Sequence, residues 1–134
     1  MKQYILSFFA AATLVSCSAI PTSGSKVGKA QAFIGDSKWV LADNVKGKTP
    51  TLNIADGKIT GTGGCNNYFG DVVLDATAGN FSAKNIGATK MACDNMSTES
   101  NYFSMLGEAN KYVVNGNTLE LYKNQLLLLK FNKN

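Results

Sequence analysis

The chain has 134 residues, enough for one domain and too few for a large two-domain enzyme. Its 13 basic residues are all lysine and it has no histidine, so a Ser-His-Asp triad, a Cys-His pair and a histidine-ligated zinc are excluded. It also lacks the planar guanidinium fork of arginine, and a formal charge of +4 on scattered lysines argues against nucleic-acid binding. An apolar fraction of 45% marks a globular domain, and 13 glycines against two prolines mark one rich in turns and strands.

Lys2 precedes a short apolar run, Ile5 to Leu14. That run is well below the roughly 20 residues needed to span a bilayer. Leu14-Val15-Ser16-Cys17 follows and resembles the bacterial lipobox, in which small residues precede a cysteine that becomes lipid-modified and N-terminal after cleavage. The resemblance implies a signal peptide over 1–16, lipidation of Cys17 and attachment to a membrane. Several acyl chains together exceed what a single chain needs for stable anchoring. Ser18, in place of an aspartate, implies sorting to the outer membrane of a bacterial envelope, on its periplasmic face or at the cell surface. Without Lys2, 12 lysines face 9 acidic residues, leaving +3. Residues 17–32 are small and polar and read as a flexible tether reaching roughly 20 Å, with the folded domain over 33–134.

Trp39 and Leu41 begin a strand with period two. Thr51–Ala55 and Lys58–Gly61 flank Asp56-Gly57, a type I′ hairpin signal, with Leu52, Ile54 and Ile59 on one face. Tyr68–Leu74 and Asn80–Thr89 are further strands. Met96–Asn110 is the one predicted helix: Tyr102, Met105, Leu106 and Ala109 form its apolar stripe, and Phe103 widens it. Asp94 or Asn95 is placed to cap its start, and Glu99 sits in the first turn, where a carboxylate favours the helix dipole. Tyr112–Val114 and Thr118–Tyr122 flank Asn115-Gly116, a repeat of the hairpin chemistry. Lys123-Asn124 then turns the chain into Gln125–Phe131, whose consecutive leucines Leu126–Leu129 predict a strand covered on both faces. These elements predict a single small α+β domain with seven or eight strands in a curved, mostly antiparallel sheet and one helix.

Gly61-Thr62-Gly63-Gly64-Cys65-Asn66-Asn67-Tyr68-Phe69-Gly70 has no lysine in phosphate-loop register and precedes a strand, so it is read as a tight bulged turn. Thr89-Lys90-Met91-Ala92-Cys93 leads directly into the helix. With Trp39-Val40-Leu41 upstream and Glu99 and Leu106 downstream, these two segments resemble the META domain of the heat-shock protein HslJ family, from about Phe33 to Phe131. The residues that carry the likeness are Gly61, Gly64, Cys65, Asn66, Tyr68, Gly70, Thr89, Met91, Ala92 and Cys93. The resemblance implies a half-open, barrel-like sheet with the helix packed across it. It further implies an envelope protein associated with heat or antibiotic stress and hands over no catalytic residue; no cofactor or metal is expected, since two thiolates without histidine make a poor zinc site. With Cys17 acylated, Cys65 and Cys93 are left as an even pair in an oxidising compartment. A structural disulfide, two buried thiols and a redox or metal role are the alternatives. A bridge closing about 29 residues would contribute up to ~3.6 kcal/mol in the chain-entropy model.

The expected function is therefore non-enzymatic: a monomeric, membrane-tethered lipoprotein supporting the envelope by binding a macromolecular partner. Tyr68, Phe69, Tyr112 or Tyr122 would supply its interaction face if exposed, although half-buried strand positions account for them equally. The alternative is a carrier of lipid or another apolar ligand, with Leu126–Leu129, Val72 and Leu74 lining a barrel cavity. An enzyme would have to use Asp71 and Asp75, which lie about 13 Å apart along one strand, beyond the spacing of paired glycosidase carboxylates.

Overall fold

A computed structural model describes residues 24–134. The signal-peptide and Cys17 lipidation assignments lie outside the described residues. Among the described residues, eight strands run in chain order around a closed antiparallel barrel: β1 (Ser37–Leu41), β2 (Thr51–Ala55), β3 (Lys58–Thr62), β4 (Asn67–Asp75), β5 (Asn80–Ala88), β6 (Lys111–Asn115), β7 (Thr118–Lys123) and β8 (Leu126–Lys133). The one helix among the described residues, α1 (Met96–Glu108), links β5 to β6 and packs against β5 and β8.

Closure is tighter than the expected half-open sheet, because β1 pairs with β8 through Trp39–Lys133, Val40–Asn132 and Leu41–Phe131. The seam is narrowest where the helix departs and returns. There β5 and β6 meet only at Asn80–Lys111. The helix closes what the sheet leaves thin, so the sheet and the helix stripe share one core.

Hairpin chemistry explains most of the connections. Asp56 and Gly57 both have positive φ, 51° and 69°, the pattern of the type I′ turn expected between β2 and β3. The β6–β7 turn differs from its expected form. Its loop residues are Gly116 and Asn117, and Gly116 has φ 60° while Asn117 is not in the positive-φ region, which is the type II′ pattern. Leu52, Ile54 and Ile59 face inward as expected, with at most 2% exposure.

Side chains fill the barrel. Tyr102, Tyr112, Phe81 and Phe131 are its largest fully buried residues, packed among leucines and isoleucines. Tyr102 is the hub: its ring meets those of Tyr68, Phe103 and Phe131 at centroid separations between 5.8 and 6.4 Å. Edge-on aromatic contacts of this kind add to what area burial contributes.

The four-leucine strand departs from expectation. Leu129 is buried and Leu128 half-buried, but Leu126 and Leu127 stand exposed. A register break between Leu121 and Tyr122 and the position of these residues at a hairpin tip carry them past the rim of the barrel. Of the residues expected to line a cavity, Val72 belongs to the packed core and Leu74 flanks it. No helix among the described residues is long and apolar enough to cross a membrane.

Within the stretch read as a tether, residues 24–32 lie along the barrel. Gln31 N–H donates to Ala76 O at 2.8 Å, Val114 N–H donates to Gln31 Oε1 at 3.0 Å, and Tyr112 hydroxyl donates to Ala32 O at 3.0 Å.

Candidate functional site

The two sequence segments that carry the family likeness meet at one end of the barrel. The β3–β4 loop, residues 63–66, faces the β5–α1 connection, residues 89–95, and the first turns of α1 seal the junction. The turn is tight because Gly64 has φ 114°, a conformation that L side chains rarely adopt, with its Cα facing Lys48 O. Gly63 is required for a different reason. A Cβ there would lie 2.7 Å from Phe103 Cζ and 2.8 Å from Glu99 Cγ, so the helix rests directly on the glycine backbone.

Asn66 is the centre of the junction and is 1% exposed. Its Oδ1 accepts from Met91 N–H at 2.7 Å and from the Thr89 hydroxyl at 2.8 Å. Its Nδ2 donates to Met91 O at 3.1 Å and to Glu99 Oε1 at 2.6 Å. All four hydrogen-bonding positions of the amide are thus used, and the side chain pairs with the Met91 backbone as a neighbouring strand would. Glu99, 3% exposed, supplies the other half: its Oε2 accepts from the backbone N–H groups of Cys65 at 3.0 Å and Asn66 at 2.5 Å. Thr62 hydroxyl donates to Asn66 O and accepts from Gly64 N–H, both at 3.2 Å. A buried carboxylate is tolerated when its oxygens are hydrogen-bonded, and Glu99 makes three such bonds with no ion pair among the described residues.

A covalent link reinforces the polar one. Cys65 and Cys93 are joined by a disulfide with Cα atoms 6.1 Å apart. One layer deeper, Tyr68 hydroxyl donates to Thr51 O at 2.7 Å and lies 2.9 Å from Tyr102 hydroxyl. Burial pushes both phenols above their ordinary range, and the hydrogen bond with Tyr102 opposes this only partly at Tyr68. These protons stay in place to bridge β2, β4 and α1.

Over the junction lies an open cleft of about 480 Å³, lined by Ala88, Met91, Ala92, Met96 and Phe103, with Asn66 and Glu99 at its base. Met91 is 55% and Met96 39% exposed. The surface is soft and apolar, and its shape is fixed by the polar groups below.

The structure sorts the sequence candidates. Cys65, Asn66, Thr89, Met91 and Cys93 come together at the junction, and Ala92 lines its cleft. Gly61 and Gly70 serve strand contacts: a Cβ on Gly61 would meet Thr51 O at 2.2 Å, and one on Gly70 would meet Lys84 O at 3.0 Å, at the β4–β5 bulge. Tyr68 and Tyr112 are buried and Tyr122 is half-buried, so Phe69, 63% exposed, is the one open residue of that aromatic set. Asp71 binds Lys58 and Asn85, which hold its carboxyl below the ordinary range, and Asp75 folds back onto Thr77 in the β4–β5 turn with the same effect. Among the described residues, no group of three or more Cys, Asp or Glu is placed to hold a metal ion.

Asn95 holds a different role from the one expected, and Glu99 holds a further one. Asn95 stands at the helix start without a side-chain capping bond. Its Nδ2 donates to Lys46 O at 3.0 Å, tying the β1–β2 loop to the junction. Glu99 sits in the first turn of the helix, as expected, and is in addition a buried acceptor. A signal for it was present in the spacing: Glu99 lies three, four and seven residues before Tyr102, Phe103 and Leu106, on the apolar stripe itself.

The family model of the META domain matches residues 32–134. An NMR structure of a protein from Burkholderia xenovorans has a similar fold, with a TM-score of 0.66 and 22% identity, covering 86% of this chain and 97% of that one. A second NMR structure matches with a TM-score of 0.59 and 22% identity, over 73% of this chain and 89% of its own. At this identity the two structures establish a shared fold. No curated protein sequence gives a significant match.

Proposed function

Because the chain belongs to the META domain family, we propose that it is a non-enzymatic, membrane-tethered lipoprotein of a bacterial envelope. In this reading it supports envelope tolerance of stress by binding a macromolecular partner through the methionine-lined cleft. The observation that carries the reading is how the family residues are used. Asn66, Glu99, Thr62 and Thr89 bond one another and the backbone, and Cys65 is bonded to Cys93, so these groups hold a shape. The shape they hold is an exposed apolar cleft, and flexible thioethers beside an aromatic ring suit a docking surface that adapts to its partner.

The lipobox over Leu14–Cys17 supplies the tether in this reading, with lipid on Cys17 placing the barrel at a membrane, most simply the outer one given Ser18. The test is site-specific photocrosslinking from Met96 in the anchored chain, in cells under heat or antibiotic stress. A discrete heavier adduct that disappears in Met91→Ser is expected. A crosslinker that yields only the uncombined chain, under stress and without it, would refute binding at the cleft.

A further inference from the structure

The chain enters the described fold beside a bare apolar tip. Ser25 hydroxyl donates to Gln125 Oε1 at 3.1 Å, in the turn of the β7–β8 hairpin. Gly24–Val27 cross the outer face of β6–β8 near Val113, Tyr122 and Lys130. Val113 is 5% exposed there although it lies outside the core cluster. Directly after Gln125 come Leu126 and Leu127, 64% and 45% exposed. Two adjacent exposed leucines at a hairpin tip offer a small apolar surface to a partner.

Chain geometry says which surface the tip can meet. Cys17 lies eight residues before Ser25, and eight fully extended residues span at most about 29 Å. A compact domain of about 110 residues has a radius of gyration near 13 Å and hence a diameter of about 34 Å. In an eight-stranded barrel β4 lies across from β8. If β4 faced the membrane, Ser25 would stand about a domain diameter above it, beyond the reach of a lipid on Cys17. Anchoring therefore excludes the orientation with β4 toward the lipid and leaves the entry side, with the leucine tip, free to meet it.

We infer that the Leu126–Leu127 tip docks into the surface of the membrane that holds Cys17, which fixes the orientation of the barrel. This inference rests on the anchoring reading above. Charge contributes little to it: Lys123 pairs with Glu108 and Lys130 with Glu120, and among the described residues Lys26 beside them makes no ion pair. Apolar contact is the main term, with anionic headgroups adding a minor one.

The experiment uses the full chain, made in a bacterium and purified with whatever it carries on Cys17. It is reconstituted in phosphatidylethanolamine–phosphatidylglycerol vesicles with brominated acyl chains. Tryptophan is placed at the tip by Leu126→Trp and on the opposite wall by Phe69→Trp, with the signal of buried Trp39 subtracted using the unaltered chain. Emission from position 126 is expected to fall about twofold or more and to shift to the blue, while position 69 is unquenched, as interfacial burial at one site requires. The quenching should survive high salt, since screening removes lysine adsorption but not apolar burial. If Leu126→Trp fails to fold, Gln125→Trp reads the same contact from the turn.

Equal quenching at both positions, quenching at neither, or its loss in salt would each overturn the docking of the tip. A concentration-dependent dimer that buries position 126 in the absence of vesicles would assign the tip to a second copy and overturn it as well. The intact mass separates the two levels of the argument. A lipid-free Cys17 removes the anchoring reading and this inference together, whereas a lipidated Cys17 with an unquenched tip removes this inference alone.

Discussion

Asn66→Asp is the sharpest probe of the junction because it changes two atoms' worth of chemistry and almost no volume. The aspartate keeps an acceptor for Met91 N–H and Thr89 hydroxyl but loses the donors to Met91 O and Glu99 Oε1. Losing a hydrogen bond to a charged group costs about 1.5–3 kcal/mol and losing a neutral one about 0.5–1.5 kcal/mol. In addition, two carboxylates now stand where a 2.6 Å hydrogen bond was. At an effective dielectric of 20, unit charges at that distance repel by about 6 kcal/mol. The pair avoids the full penalty by taking up a proton, which at pH 7 costs about 4 kcal/mol for an acid whose ordinary pKa is near 4. The shared proton also restores a bond to Glu99, so only the neutral bond to Met91 O is added, and the expected total is about 5 kcal/mol at neutral pH, a large part of a small domain's stability.

The pH dependence is the distinguishing signature. The folded pair in Asn66→Asp holds its proton to a higher pH than the unfolded chain does. The shared-proton form is therefore fully available below about pH 4 and is lost as pH rises toward 7. Relative to the unaltered protein, the variant should regain up to about 1.4 kcal/mol per pH unit on acidification, until the proton bridge is restored. Urea unfolding at pH 7.0 and 4.5, with the disulfide intact, measures both quantities. A variant within about 1 kcal/mol of the parent at pH 7, with the same pH slope, would show that Asn66 does not carry the junction.

Replacing both Cys65 and Cys93 by alanine should lower stability by about 3 kcal/mol, read by urea midpoint, and an unchanged midpoint would remove the covalent reinforcement. Gly63→Ala pushes a methyl against Phe103 and Glu99 and should cost about 1–3 kcal/mol in thermal unfolding. Gly28→Ala, which meets nothing within 4 Å, pays only for its φ of 78° and should cost less. Unfolded phenols ionise near pH 10, whereas burial holds Tyr68 and Tyr102 protonated above it. Their stabilisation is therefore complete below pH 10 and declines as pH rises past it, by up to about 1.4 kcal/mol per unit for each. Tyr68→Phe with Tyr102→Phe should flatten the urea-midpoint slope between pH 10 and 11, and an unaltered slope would contradict it.

Periodicity and turn chemistry made most of the barrel legible in the sequence. Alternation at Leu52, Ile54 and Ile59 and the Asp56-Gly57 pair leave little choice of register, and the Tyr102–Leu106 stripe picks out the buried helix face. Closure was harder to read, since the pairing of Trp39 with Lys133 joins residues at opposite ends of the chain. The leucine run misled because composition does not say where a hairpin leaves the rim. The junction was visible as a family likeness without its mechanics. Asn66 and Glu99 are 33 residues apart, and which buried oxygen meets which N–H is decided only when the barrel closes. A carboxylate on an apolar helix stripe was the one local sign.

Whether the barrel works from a membrane through its cleft is decided by one complementation series. A strain lacking the protein is challenged by heat or an envelope-directed antibiotic while carrying the unaltered chain, Cys17→Ala, or Met91→Ser with Met96→Ser. The cleft positions are exposed, so that variant should fold and accumulate normally. If the anchored barrel acts through its cleft, the unaltered chain restores survival and both variants fail, with folded barrel present at normal levels. Full rescue by either variant would contradict it.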